Sequence, residues 1–142
     1  MRSLRFEQFG VPAEVLRLTD IPTPTPKAGE VLVRMRARGI NPSDLLQVRG
    51  LYGVLPRLPA TGGQEGMGVV EAVGEGVETV RPGQRVIPLG VIGTWQEYLT
   101  APAAQLIPVP DSMSDGAAAQ FVVNPLTAWI MVVDELKLSA GD

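Results

Sequence analysis

Few residue types able to do chemistry are present in this 142-residue chain, because it contains no cysteine and no histidine. Thiolate nucleophiles, Ser-His-Asp triads and zinc sites of the usual Cys/His kind are excluded by that alone. Tyrosine, carboxylates, lysine and side-chain amides remain. Tyr52 lies in Gly50-Leu51-Tyr52-Gly53, where the residues by themselves favour an aromatic packed in a loop beside Leu51 and Leu55. Asn41-Pro42-Ser43-Asp44 has the form of a helix start, with Asn41 as cap, proline in the first turn and Asp44 near the positive end. In that reading the Asn41 side-chain oxygen caps and its amide nitrogen stays free for a ligand. Trp95 follows two small residues, Gly93 and Thr94, so its indole is suited either to wall a ligand slot or to enter the core. Asn124 and Thr127 stand one helical turn apart and can face one ligand; helix entry and a back-bonded threonine are the equal alternative.

The elements that must position these residues are mostly strands. Val31 to Ala37 alternates, with Val31, Val33, Met35 and Ala37 on one face and Leu32, Arg34 and Arg36 on the other, the period of a half-buried strand. Ser3 to Phe9 and Val15 to Asp20 read as strands around a Gly10-Val11-Pro12 turn. Pro22, Pro24 and Pro26 make residues 21–27 an extended connector. Gly68 to Val73, Arg85 to Leu89, Trp95 to Ala101 and Gln105 to Val109 complete about seven short strands, with Arg81-Pro82-Gly83 as a turn. A mainly β fold, a small irregular barrel with short helices, follows. Near Asp111 the texture turns helical. Ser114 is suited to cap a helix over Ala117 to Ala119, and Pro125 opens a second helix with Leu126, Trp129, Ile130, Val133 and Leu136 at helical steps. Leu138 to Asp142 reads as its closing turn. Gly62-Gly63-Gln64-Glu65-Gly66-Met67-Gly68 does not sit between a clear strand and a long helix, so its glycines read as loop and strand geometry, not as a phosphate-binding turn.

Hydrophobic residues make up 45% and charged residues 19%, the composition of a chain with a packed core. Twelve Lys and Arg against 15 Asp and Glu give a net charge of −3, with no basic block longer than a pair. Nucleic acid and membrane partners are therefore not expected, and a cytoplasmic protein is the default.

Taken in order, Gly39-Ile40-Asn41-Pro42-Ser43-Asp44, Gly50-Leu51-Tyr52-Gly53, Gly63-Gln64-Glu65-Gly66, Val73-Gly74-Glu75-Gly76-Val77, Pro82-Gly83-Gln84-Arg85-Val86, Gly93-Thr94-Trp95 and Val123-Asn124-Pro125-Leu126-Thr127-Ala128 resemble the medium-chain dehydrogenases/reductases over nearly the whole chain. The combination is most similar to the zinc-free branch, the 2-enoyl thioester reductases and quinone oxidoreductases. Zinc-dependent members carry a cysteine near position 41 and a Gly-His-Glu where this chain has Gly63-Gln64-Glu65. The resemblance implies a GroES-like catalytic domain over residues 1–112. It also implies that residues 113–142 begin a nucleotide-binding domain of Rossmann type, the rest of which lies past the end of the sequence.

The same resemblance implies Tyr52 as the acid or substrate-orienting group; a phenol, with a reference pKa of about 10, can supply a proton without being ionised at rest. It makes Asn41, Gln64 and Trp95 substrate contacts, and Asn41, Asn124 and Thr127 contacts to NADPH. Asp44 is expected to be structural, and Glu65 to be a buried or turn-bonded carboxylate that orders the glycine-rich loop. The reaction implied is reduction of the C=C bond of a trans-2-enoyl thioester without zinc, by a full-length homodimer. A quinone or enone substrate is the alternative, and a non-catalytic chaperonin-10-like binding barrel the second. By itself the 142-residue stretch is expected to fold, to self-associate through its apolar helix face, and to reduce nothing.

Overall fold

The computed structural model describes residues 1–139 and 141, and among them eight strands form two antiparallel sheets. The alternating segment is the spine, running as β3 over Glu30–Arg38. Val31, Val33 and Met35 are buried on its inner face, while Arg34 and Arg36 point outward and pair with acids. On one edge β3 pairs with Gly66–Val73, and on the other with Tyr98–Pro102; Arg85–Pro88 and Leu106–Pro108 extend the sheet beyond Gly66–Val73. In chain order these four are β5, β7, β6 and β8, giving the sheet order β7-β3-β5-β6-β8. Two register shifts between β3 and β5, at Leu32/Val33 and Met35/Ala37, bend the pair in the manner of bulges. Val70, Val80, Val86, Leu99, Ala101 and Leu106 close the core over the inner face of β3.

The smaller sheet has the order β2-β1-β4, with β1 at Arg2–Phe6, β2 at Arg17–Asp20 and β4 at Ala60–Thr61. The expected strands over Ser3 to Phe9 and Val15 to Asp20 are both shorter than read. Pro12–Val15 instead forms a single helical turn, α1, because Pro12 at its start already has helical φ and the Leu16 N–H closes onto the Pro12 carbonyl. The Trp95 to Ala101 strand begins only at Tyr98; Gln96 makes an isolated bridge to Ser3, and Trp95 stands outside the ladder. Its backbone is given to the smaller sheet, since Leu4 N–H donates to the Trp95 carbonyl and Trp95 N–H to Gly62. β4 was missed because a two-residue strand leaves no alternation to read.

Three further α-helical segments follow, with a 3-10 turn at Ala103–Gln105 between β7 and β8. Helix α2, Pro42–Val48, follows Asn41; α3 spans Asp115–Ala119, where the Ser114 hydroxyl accepts from Ala117 N–H; α4 spans Asn124–Trp129. α3 packs onto the sheet through Ala118 and Ala119, against Met67, Ile87 and Val109. It is also pinned from outside: Asp115 takes Arg36 at 3.3 Å from β3 and Arg85 at 2.8 Å from β6. The second predicted helix is not uniform, for Ile130–Glu135 widens into a π-turn after α4. From Asn124 onward every described side chain is exposed, Trp129 at 60%. Of the expected closing turn over Leu138 to Asp142, Ala140 and Asp142 lie outside the described residues.

Gly74 ends β5 where its N–H meets the Glu30 carbonyl at 2.8 Å, and a Cβ there would run into the Lys27 carbonyl oxygen. Backbone cannot retreat as a flexible side chain can. Gly74→Ala is therefore expected to destabilise the fold by about 2 kcal/mol or more, read as a lowered denaturant midpoint; a midpoint within error of wild type would show that the β3–β5 end is not tightly closed.

Candidate functional site

Glycines make the room in which the site is built. A Cβ at Gly39 would overlap the Glu65 carboxylate, and a Cβ at Gly62 or Gly63 would overlap the Trp95 ring; Gly63 also has φ +94°. The glycine-rich stretch is thus a platform for one indole and a notch for one carboxylate, in line with its reading as loop and strand geometry. Trp95 lies on that platform, donates Nε1–H to the Gly39 carbonyl at 2.9 Å, and is 7% exposed. Its remaining exposure borders an open groove of about 640 Å³ whose other walls include Leu4, Leu18, Ile40, Leu45 and Arg38. So Trp95 is core and groove wall at once.

Glu65, in the turn between β4 and β5, is 2% exposed and is paired with no lysine or arginine among the described residues. Its Oε1 accepts from Asn41 Nδ2 at 2.7 Å and its Oε2 from the Val123 N–H at 3.0 Å. Its main-chain carbonyl takes the Thr94 hydroxyl at 2.9 Å. Asn41 Oδ1 then accepts from Asn124 Nδ2 at 3.2 Å. Three separate segments, the β4–β5 turn, the start of α2 and the start of α4, meet on one buried carboxylate.

The expected division of labour at Asn41 is therefore revised. Its amide nitrogen is not free, because the Glu65 carboxylate oxygen beside it accepts from it. Capping falls mainly to Asp44: Asn41 N–H donates to Asp44 Oδ2 at 2.7 Å, and Asp44 N–H donates to the Asn41 main-chain carbonyl at 3.0 Å. Asp44 is structural in this sense, and it is fully buried. Gln64 adjoins it with its Nε2 sealed from solvent, and neither that nitrogen nor Asp44 Oδ1 has a well-formed hydrogen bond.

Thr127 donates its hydroxyl to the Val123 carbonyl, the back-bonded arrangement, and remains exposed. Asn124 is exposed with its nitrogen committed to Asn41, leaving its oxygen as the outer end of the network. Tyr52 stands apart. It sits in the loop after α2, 46% exposed, and its hydroxyl makes no hydrogen bond among the described residues. The structure thus brings Asn41, Asn124 and Glu65 together, sets Gln64 beside Asp44 and Trp95 beside Gly39, and leaves Tyr52 unattached. Glu65 was expected to order the glycine-rich loop, but its role as the hub joining Asn41 and Val123 was not legible from the sequence; the signal that pointed toward it was Gly63 and Gly66 flanking Gln64 and Glu65.

Residues 27–111 match the alcohol dehydrogenase GroES-like domain family, and the chain belongs to that family. Relatives include enoyl reductases and quinone oxidoreductases of the medium-chain dehydrogenase/reductase superfamily, as the motifs implied. Mitochondrial enoyl-[acyl-carrier-protein] reductase of Xenopus tropicalis is 42% identical over 142 residues, which are 99% of this chain and 41% of that protein. Among solved structures, a Bacillus thuringiensis protein assigned as an NADPH:quinone reductase has 43% identity and a TM-score of 0.90, over 99% of this chain and 43% of that one. Escherichia coli quinone oxidoreductase, complexed with NADPH, has 29% identity and a TM-score of 0.85, over 93% and 40%. The chain spans about two-fifths of the length of these relatives.

Burial raises the Asp44 pKa, the Asn41 N–H opposes that, and the nearby Glu65 charge raises it further. The folded carboxyl holds its proton more readily than the unfolded one. That favours folding fully below the unfolded value of about 3.9, and the benefit is lost as pH rises through the higher folded value. Asp44→Asn keeps an acceptor for Asn41 N–H but does not titrate. The stability of wild type relative to this variant is expected to fall as pH rises from about 3 to about 7; a pH-independent difference in denaturant midpoints would contradict the shift.

Proposed function

We propose that the chain is the substrate-binding part of a zinc-free, NADPH-dependent reductase that acts on the C=C bond of trans-2-enoyl thioesters. What carries this reading is the polar cluster around Asn41, free of cysteine and histidine, in a chain 42% identical end to end to an enoyl-[acyl-carrier-protein] reductase. Gln64 stands where zinc-dependent relatives have histidine, and an amide is a poor replacement ligand. Without a Lewis acid, conjugate reduction is the accessible course, with hydride delivered to the β-carbon and a proton to the α-carbon.

Residues 1–112 form the catalytic domain in this proposal, and residues 113–142 begin the nucleotide-binding domain. Within that second stretch α3 is packed on the sheet, whereas the apolar side chains from Leu126 to Leu138 are exposed and suited to cover by the rest of the enzyme. The exposed amide of Asn124 and hydroxyl of Thr127 fit one end of a nicotinamide nucleotide, whose phosphates need a glycine-rich turn from elsewhere in the protein. Bound NADPH supplies the hydride. Asn41 and Asn124 orient that end of the site, Trp95 walls the acyl side, and Tyr52 donates the proton at the α-carbon once its loop turns inward. The full-length enzyme works as a homodimer. Among the described residues no helix is long and apolar enough to cross a membrane; a cytoplasmic location rests on composition, the Xenopus relative being named as mitochondrial.

Quinone reduction is the second reading, favoured by a structural relative of equal identity. A purely structural barrel has no use for the Asn41–Asn124 link. Steady-state NADPH oxidation by the full-length protein separates these readings. Turnover of a crotonyl thioester is expected, with Tyr52→Phe lowering kcat by about 10²-fold. Turnover of quinones alone would establish the second reading, and an unchanged kcat in Tyr52→Phe would return that ring to a packing role.

A further inference from the structure

The hydrogen-bond chain from Glu65 outward has a direction. Both carboxylate oxygens of Glu65 accept, Oε2 from the Val123 N–H, and the amide facing Oε1 presents nitrogen, as Asn41 does at 2.7 Å. That turns Asn41 Oδ1 away from Glu65, where only a donor can meet it, and Asn124 supplies Nδ2 at 3.2 Å. Asn124 Oδ1 is then the atom left pointing out of the network, on an exposed residue. The other oxygen of Glu65 holds the Val123 N–H at 3.0 Å, one residue before α4. A free asparagine presents either end of its amide with little preference; these two do not have that freedom.

We infer that Glu65 is a positioning residue: acting through Asn41, it fixes which end of the Asn124 carboxamide faces the cofactor, and acting through Val123 it fixes where α4 begins. The cofactor group it selects is a hydrogen-bond donor, either a carboxamide nitrogen or a ribose hydroxyl. This rests on the reductase reading for the ligand, but the latch on Val123 does not. Gly39 belongs to the same device, since any larger residue would fill the notch that the Glu65 carboxylate occupies.

Glu65→Gln in the full-length protein tests the direction with almost no change of shape. One carboxylate oxygen becomes an NH₂, which meets a donor head-on at Asn41 or at Val123; the first conflict is relieved only by inverting both asparagine amides. NADPH is expected to bind about tenfold more weakly, the scale of one lost hydrogen bond, while kcat at saturating NADPH changes by less than about threefold. In the cofactor-free protein, exchange of the Val123 amide hydrogen is expected to accelerate by about tenfold. The decisive variant is Asn41→Asp combined with Glu65→Gln. It moves the acceptor-only group one link along. The new carboxylate at position 41 accepts both from the amide nitrogen introduced at position 65 and from Asn124 Nδ2, and the amide oxygen at position 65 keeps the Val123 N–H.

Recovery of NADPH affinity to within about threefold of wild type in the double variant is the expected result. A double variant as weak as Glu65→Gln, or weaker, overturns the proposal, since two altered buried positions should only add damage if Glu65 merely holds the fold. Wild-type affinity in Glu65→Gln overturns it as well. If Glu65→Gln does not fold, the affinity of the double variant decides alone. A wild-type enzyme that binds no NADPH would sink the reductase reading, and Val123 exchange would still test the latch.

Discussion

A carboxylate buried without a cation is the constraint around which this chain is arranged. Removing a charge from water costs several kcal/mol unless hydrogen bonds replace the lost hydration. Glu65 has two such bonds on its carboxylate, from Asn41 and from Val123, and charge-assisted bonds of this kind are stronger than neutral ones. Each donor must be carried to it by a different piece of chain. The β3 spine ends just before Gly39, whose missing side chain leaves the notch, and α2 starts soon after it so that Asn41 faces inward. The Thr94 hydroxyl on the Glu65 carbonyl and the Trp95 indole on the Gly39 carbonyl hold the two sides of the notch at a fixed distance.

The sheet explains why these pieces arrive together. β3 and β5 run antiparallel, so Arg38 pairs with Gly66 and the chain leaving one strand passes the chain entering the other. Gly39 and Glu65 are therefore neighbours by register, not by loop flexibility. The smaller sheet adds the third wall, because β1 lends the Leu4 N–H to Trp95 and β4 leads directly into Gly62. Asp115, bridging Arg36 and Arg85, keeps α3 against the same sheet, which brings residues 120–123 back over the notch.

Much of this was legible in the sequence where a period or a breaker carried it. The alternation of β3, the proline connector, the helix start at Asn41-Pro42 and the Ser114 cap all reappear, because each depends on local sterics or local hydrogen bonding. What escaped has a non-local cause. Trp95 leaves its expected strand because its partners are Gly62 and Leu4, far away in sequence; β4 is too short to show alternation; and the change to a π-turn at Ile130 has no marker among its apolar neighbours. Asn41 and Asn124 were legible as candidates, through the family likeness of their motifs. Their mutual contact and the orientation of their amides were not: Glu65 was expected as a buried or turn-bonded carboxylate, but its partners come from segments far away in sequence.

The same carboxylate also marks where the structure changes character. α3 is packed against the sheets and Val122 joins the same core, whereas from Asn124 on the apolar side chains are exposed. Between them stands Val123, held by a hydrogen bond to a group in the turn between β4 and β5. A hydrophobic contact at that point would tolerate rotation of the following helix, because apolar packing has little directional preference. A single N–H aimed at one carboxylate oxygen does not, as hydrogen bonds weaken steeply when bent. The direction in which α4 leaves the sheets and the end of the Asn124 amide that it displays are thus set by one side chain, so site geometry and segment geometry cannot drift independently.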